Sequence, residues 1–402
     1  MATYKFIARN SSTGEKITSI IQADSEKSAT KMLTSQGLSP IEIKLASGEG
    51  KLGKKVKSKD RILFARQLST LINAGLPLVQ SLRTVQRQTT SKQMKLIIAE
   101  VIADVEAGKN FSDALAKHPM VFNNIFVSLV AAGEISGTLD KSLERLAYQQ
   151  EKDAEILAKI KGALVYPAVV IVIMVAVVVF MLVAVLPQVQ VLYDGLPGAE
   201  LPFITKLLLW MSNLIIDFWY VFVILAILGI VFTSRWARTL GGKSVIDKAK
   251  MKAPMFGPLF MKMYMARFAR TGTTLVSAGV PLIQMLEITG KSVNNMYVEQ
   301  SVTRAIGMVK GGKSLADALE GDENFLELVP NMIRIGETSG QVEGMLDKTA
   351  EYYEKEVDQQ IKTINTIIEP LLMIILGVIA LTIIGAVLLP VYSLGDKGLG
   401  GF

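Results

Sequence analysis

The chain repeats itself. Gly133-Glu134-Ile135-Ser136-Gly137 leads through a charged helical pattern into an apolar run ending at Leu186-Pro187, and Gly336-Glu337-Thr338-Ser339-Gly340 leads the same way to Leu389-Pro390, 203 residues later. Upstream, Phe64-Ala65-Arg66 recurs as Phe268-Ala269-Arg270, AGLPL from Ala74 recurs as AGVPL from Ala278, and GKNFSDAL from Gly108 recurs as GKSLADAL from Gly312, each at an offset of 204. One residue is lost before the GE-x-SG element. Because turns, helix starts and apolar run recur in the same order, the duplication is structural.

Within a copy the apolar spacing is helical. Leu63, Phe64, Leu68, Leu71 and Ile72 share one face from Asp60, and the helix stops at Gly75 before Pro77 opens the next. Gly75-Pro77 and Gly279-Pro281 are repeat turns of a kind suited to antiparallel helices, since Gly takes the left-handed C-cap conformation and Pro wastes no amide hydrogen in a first turn. Further helices are expected at about Ser91 to Glu106, Phe111 to Lys117 and Phe122 to Ala132, which makes each copy an all-α bundle. The last helix, from Thr138, holds no Gly or Pro until Gly162 and Pro167, and is expected to run straight into the apolar segment; Pro167 and Pro370 mark membrane kinks.

Half of the 402 residues are hydrophobic, too many for an ordinary soluble protein, yet 20% are charged, too many for a pure membrane bundle. No charge lies between Lys161 and Asp194, Asp217 and Arg235, or Glu369 and Asp396. A bilayer needs roughly 20 apolar residues, so three spans are expected. Lys152, Lys159 and Lys161 before the first span, and Arg235, Arg238, Lys243, Lys248, Lys250 and Lys252 after the second, place those ends in the cytoplasm. Two copies of one polarity require a returning span between them, and the middle segment supplies it. The chain therefore reads as an all-α integral membrane protein. A cytoplasmic ββαβ module occupies 1–45, with strands around Tyr4 and Ile20, a turn at Asn10 to Gly14, a helix capped by Asp24 with Ala29, Met32 and Leu33 on its apolar face, a stop at Gly37, and a last strand from Ile41 to Leu45. A flexible linker covers 46–59, bundles cover 60–163 and 235–366, and spans cover 164–187, 213–234 and 367–390. An external loop (188–212) and an external tail (391–402) complete the order. The start carries no signal-peptide pattern, so the N-terminus is expected to stay cytoplasmic.

No catalytic constellation appears. There is no cysteine, and His118 is the only histidine. Gly307 to Ser314 fits GxxxxGK[ST], but it ends a helical pattern where a phosphate loop would follow a strand. Its first copy, Ala103 to Asn110, lacks the first Gly and the hydroxyl, so the string reads as a C-cap at Gly312 and an N-cap at Ser314. Glu134 and Glu337, between capping glycines Gly137 and Gly340, are the candidates for a contact, either with a neighbouring helix N-terminus or with a partner. Asp140 and Glu343 lie close enough in sequence to complete a calcium site with them, although two carboxylates per copy are few for calcium. Methionines cluster at Met251, Met255, Met261, Met263 and Met265, as core filling or as an adaptable binding face. The net charge of +7 is spread along helices and beside apolar runs, which suits membrane orientation better than nucleic acid.

The doubled FAR, AGLPL/AGVPL, GK-x-x-x-DAL and GE-x-SG series, each copy ending in a proline-containing span, together with Gly37-Leu-Ser-Pro40, resembles the inner-membrane platform proteins of type IV pilus and type II secretion machines, the PilC and GspF group. The resemblance covers most of the chain. It implies a non-enzymatic platform in the bacterial inner membrane, contacting a cytoplasmic hexameric assembly or retraction ATPase, pilin or pseudopilin subunits and other inner-membrane assembly proteins; the residues themselves call for no cofactor. Spans that leave only three helices to bury one another add the expectation of a homo-oligomer. A small transporter is the other membrane reading, but it would place ionisable groups or broken half-helices inside the spans; a membrane-bound P-loop ATPase rests on the Gly307 string alone.

Overall fold

The computed structural model describes residues 2–10, 16–23, 28, 30, 34, 38–45, 56–194, 203–237 and 239–399. Strands β1 (Ala2–Asn10), β2 (Lys16–Ala23) and β3 (Leu38–Leu45) form an antiparallel sheet in the order β2-β1-β3, with Tyr4 opposite both Ile21 and Leu45. The β1–β3 register shifts between Ile7 and Ala8, where Pro40 pairs with Ala8. A proline lacks the ladder's N–H, so it belongs on an edge strand such as β3. This last strand starts at Leu38, three residues before the expected Ile41. The expected turn residues 11–15, the helix residues Asp24, Ala29, Met32 and Leu33, the stop at Gly37 and linker residues 46–55 lie outside the described residues.

The first repeat comprises α1 (Ser58–Asn73), α2 (Leu78–Gln88), α3 (Lys92–Glu106), α4 (Phe111–Ala116), α5 (Asn124–Ser136) and α6 (Leu139–Phe180). Local chemistry sets these bounds: Ser91 Oγ accepts from Met94 N and Asn123 Oδ1 from Phe126 N as N-caps, and Gly75 closes α1 at φ +84°. After α7 (Leu186–Asp194), α8 (Phe203–Trp236) and the unrepeated α9 (Leu240–Lys252), the second repeat follows as α10 (Gly257–Ser277), α11 (Leu282–Ser292), α12 (Met296–Lys310), α13 (Leu315–Leu319), α14 (Leu328–Ser339) and α15 (Val342–Leu399). Gly279, at φ +76°, repeats the Gly75 turn. The FAR phenylalanine anchors each core. Phe64 lies 5.5 Å from Phe122, which lies 4.8 Å from Phe126; in the second copy Phe268 lies 5.1 Å from Phe325, with buried Val329 at the place of Phe126. One continuous apolar core runs through both repeats.

Three helical stretches are long and apolar enough to cross a membrane: Leu139–Gln188, Thr205–Trp236 and Val342–Leu388. Three expectations are corrected here. Helix α5 ends at Ser136 and not at Ala132, because Gly133 is accommodated inside the helix and only Gly137 turns left-handed, at φ +69°. Residues 188–194 and 203–212, assigned to a loop, are helical, and the tail assigned to 391–402 is helix as far as Leu399. Helices α6 and α15 continue through Pro167 and Pro370. The irregularity comes later, as a π-helical turn at Met181–Val185, where Leu186 N bonds the Met181 carbonyl five residues back.

That turn precedes Pro187, whose ring would collide with the carbonyl of Val183 in a regular helix. In the π register the next donor would be Pro187 itself, which has no N–H, so the Leu182 carbonyl is left free. Ser212 Oγ of α8 donates to it at 2.5 Å, buried, and Thr205 Oγ1 of the same helix donates to the Ala386 carbonyl of α15 at 3.1 Å. Leu182, Leu186, Leu209 and Ala386 form a small second core around these bonds, so the three apolar helices meet at the end remote from the bundles. Helix α8 leaves helical geometry at Phe218 (φ −118°, ψ 20°), and the residues beyond it, from Trp219 to Phe232, are exposed or half-exposed.

Replacing Phe64 or Phe268 by Ala should lower the thermal unfolding transition of the detergent-solubilised protein, followed by circular dichroism, by an amount equivalent to about 3–5 kcal/mol. A change below about 1 kcal/mol would show that the ring clusters are not the anchors of the bundles.

Candidate functional site: the duplicated junction between bundle and span

The GE-x-SG element sits where α5 hands over to α6 and where α14 hands over to α15, and each of its residues has a separate task. A Cβ on Gly133 would lie 2.7 Å from Ser142 Oγ and 3.0 Å from Leu139 Cα; on Gly336 it would meet Val342 Cα at 2.8 Å. The first glycine therefore lets the two helices touch. The second, Gly137 or Gly340, adopts φ near +70° and reverses the chain, while Thr138 N and Gln341 N return to the carbonyls of Gly133 and Gly336 at 2.9 Å.

The glutamates between them cap the short helices. Glu134 accepts from Phe111 N at 2.5 Å, Ser112 N at 2.8 Å and Ser112 Oγ at 2.5 Å, and Glu337 accepts from Leu315 N at 2.7 Å and Ala316 N at 3.1 Å. A carboxylate here satisfies N–H groups that a helix start leaves without partners and complements its dipole. Asp140 and Glu343 lie in the first turns of α6 and α15, and Glu343 stands 3.8 Å from Arg145 of the other repeat. Among the described residues no three His, Asp or Glu side chains converge as metal ligands would.

The arginine of each FAR motif makes a contact between helices that motif spacing alone did not assign. Arg66 forms a two-pronged pair with Glu151 of α6, its Nε at 2.7 Å, and the guanidinium holds the Glu151 carboxyl below the usual range. Arg270 bonds Glu354 at 2.8 Å and Asp347 at 2.5 Å on α15. The signal was available in the sequence, since Arg66 recurs at 204 and Glu151 at 203, one on each side of the deletion. The bidentate Arg66–Glu151 pair, and Arg270 forked between two carboxylates, fasten the first helix of each bundle to the helix that continues as a span.

The remaining candidates resolve into structure. Gly307 is interior to α12, Gly312 turns the chain at φ +91°, and Ser314 Oγ caps Asp317 N at 3.0 Å, so Gly307 to Ser314 makes no phosphate cradle. The corresponding Gly108 has φ +86°. His118 lies 3.4 Å from Glu100 beside the end of α4. Met263 and Met265 are buried, and Met251, Met255 and Met261 pack against the same core.

Residues 64–187 and 268–390 each match the family described as type II secretion system (T2SS), protein F, and residues 1–44 match the N-terminal domain of that protein. The chain belongs to the PilC/GspF family. It is 37% identical to the type IV pilus assembly protein PilC of Thermus thermophilus over 98% of both chains, and 34% identical to PilC of Pseudomonas aeruginosa over 90% of this chain and 98% of that one. It is 30% identical to type II secretion system protein F of Vibrio cholerae over 98% of this chain and 99% of the relative. Members of the PilC/GspF family are assembly proteins without catalysis of their own. The two matched segments coincide with the two structural repeats, each closing on its proline-containing apolar run.

In this member, Glu134→Ala should destabilise the first bundle by about 1–3 kcal/mol, the cost of unpaired N–H groups, while Glu134→Gln, which keeps one acceptor, should cost less. Gly133→Ala should cost about 1–3 kcal/mol through crowding against Ser142. Thermal unfolding of the three variants tests the order, and an unchanged transition for Glu134→Ala would remove the capping role.

Proposed function

We propose that this protein is the inner-membrane platform of a type IV pilus machine, coupling a cytoplasmic hexameric ATPase to insertion and extraction of pilin subunits and working as a homo-oligomer beside other inner-membrane assembly proteins. The continuity of bundle and span carries the reading. Helix α6 runs unbroken from the bundle into the apolar segment, and the 58-residue α15 does the same, at about 1.5 Å per residue a rod of about 85 Å. A displacement of either bundle, fastened to its rod by Arg66–Glu151 or Arg270–Glu354, moves the span with it. Identities of 34–37% to four type IV pilus assembly proteins, against 30–32% to type II secretion F proteins, lean towards the pilus machine, and a further PilC protein at 30% narrows that margin.

Leu157 is 40% exposed and Ala158 is exposed, so a change there alters the rod more than the core. Glycine at both positions, each costing about 1 kcal/mol of helix stability relative to alanine, should leave the protein inserted and abundant but abolish fibre assembly. Ala158→Gly alone should have a partial effect, and normal assembly by a stable double variant would reject rigid coupling.

Orientation belongs to the same proposal. The basic residues flanking the first and second apolar segments, with Lys243, Lys248, Lys250 and Lys252 on or beside α9, support a cytoplasmic N-terminus, three spans and an external C-terminus. Reporter fusions after Lys250 and at Phe402 should report cytoplasmic and external locations respectively, and the reverse at either site would overturn the topology.

A further inference from the structure

The contact between the two repeats is not two-fold. Helix α6 of the first repeat lies against α15 and α10 of the second, and α5 against α11, whereas among the described residues α1 makes no comparable packing on α15. Two different faces therefore meet. The face contributed by the first repeat carries a basic stripe at seven-residue spacing, Arg145, Lys152 and Lys159. It meets an acidic face on the second: Arg145 stands 3.8 Å from Glu343, Lys159 lies 2.7 Å from Asp358, and Lys152 and Glu354 line one groove. Arg270 lies over the Tyr148 ring at 5.6 Å, and Gln149 Nε2 donates to Thr271 Oγ1 at 2.9 Å in a buried bond. The paired residues keep nearly constant separations in number, so α6 and α15 run parallel.

Duplication leaves one copy of each face unused. On the second repeat the basic stripe recurs as Lys348, Lys355 and Lys362, all exposed and, among the described residues, without an ion-pair partner, with Tyr352 also exposed at the place of Gln149. On the first repeat the acidic face recurs as Asp140, Glu151 and Glu155, with the Arg66–Glu151 pair formed as Arg270–Glu354 is, and with Glu155 also holding Lys152 and Lys159 of its own helix. We infer that a second copy of this chain docks head to tail, the Lys348/Lys355/Lys362 stripe of one copy lying on the Asp140/Glu151/Glu155 face of the next and repeating the contact already present within the chain. This rests on the homo-oligomer of the preceding proposal and specifies its interface. Lys348 would face Asp140 as Arg145 faces Glu343, Lys355 would face Glu151 as Lys152 faces Glu354, and Glu351, at the place of Tyr148, would face Arg66. Only the Arg267–Asp153 approach at 3.7 Å lacks a charged counterpart, since Leu63 stands at the place of Arg267. A heterologous contact repeated about an axis parallel to the long helices builds a closed ring or an open array rather than a face-to-face pair.

The chain has no cysteine, which makes the test clean. Two differently tagged full-length chains, one Lys348→Cys and one Asp140→Cys, are co-expressed and treated in membranes with a short bismaleimide; Arg145→Cys with Glu343→Cys in a single chain is the within-chain control. The expected result is an adduct carrying both tags from the unlike pair, little from two Lys348→Cys chains, and an at least tenfold loss when Lys355→Glu and Lys362→Glu are added. An adduct no stronger from the unlike pair than from like pairs, with the control formed, would overturn the inference. Strong like-with-like adducts in that experiment would keep the homo-oligomer and reject only this interface; the absence of any adduct between chains would count against both.

Discussion

The helix that closes each bundle is also the helix that enters the apolar layer, and the rest of the molecule is built around that double duty. In its first half α6 presents one apolar stripe, with Leu143, Leu146 and Ala147 buried in the core, and charges elsewhere. Beyond Lys161 it is apolar all round. A helix with such a change of surroundings needs to be held on the polar side, where water competes for every contact. The two-pronged Arg66–Glu151 pair and the close glycine contact at Gly133 supply that hold; in the second copy the glycine contact recurs at Gly336 and Arg270 is shared between Glu354 and Asp347. Individually such surface pairs are worth little. Their weight here comes from geometry, since they fix the register between the first helix of a bundle and its rod.

Duplication allows the two copies to specialise without losing the shared frame. Both copies keep the capping glutamate, the left-handed glycine and the arginine clamp. The cores differ: three phenylalanines in the first copy become Phe268, Phe325 and Val329 in the second, and Leu68 becomes Gly272, against which Leu346 packs so closely that a Cβ would lie 3.2 Å away. The seam between copies sets polar contacts such as Gln149–Thr271 and Lys159–Asp358 beside the apolar core that both copies share.

At the other end of the rods the apolar helices meet through very few groups. Ser212 and Thr205 donate to carbonyls of neighbouring helices where no water is expected to compete, and the free Leu182 carbonyl exists because Pro187 has no N–H to give. Between this point and the bundles most of the apolar surface faces outward, so its cover is lipid or other helices.

The sequence by itself determined the duplication, the three apolar segments, the helical bundles and the family. Each of these follows from local or periodic information: a fixed offset, a run of uncharged residues, a 3.6-residue spacing, a glycine that must turn left-handed. The capping element was legible too, although its partner was not, because Glu134 and the N–H groups of Phe111 and Ser112 are brought together by the packing of α4 on α5. Only the tertiary structure decided that the FAR arginine reaches a glutamate some 85 residues away, that a π-helical turn precedes Pro187, and that the two repeats meet through unlike faces. The physical reason is common to all three. A side chain's partner across a bundle, the carbonyl a proline leaves free, and the face one repeat turns to another depend on rigid-body placement, which a one-dimensional pattern of polar and apolar residues does not encode.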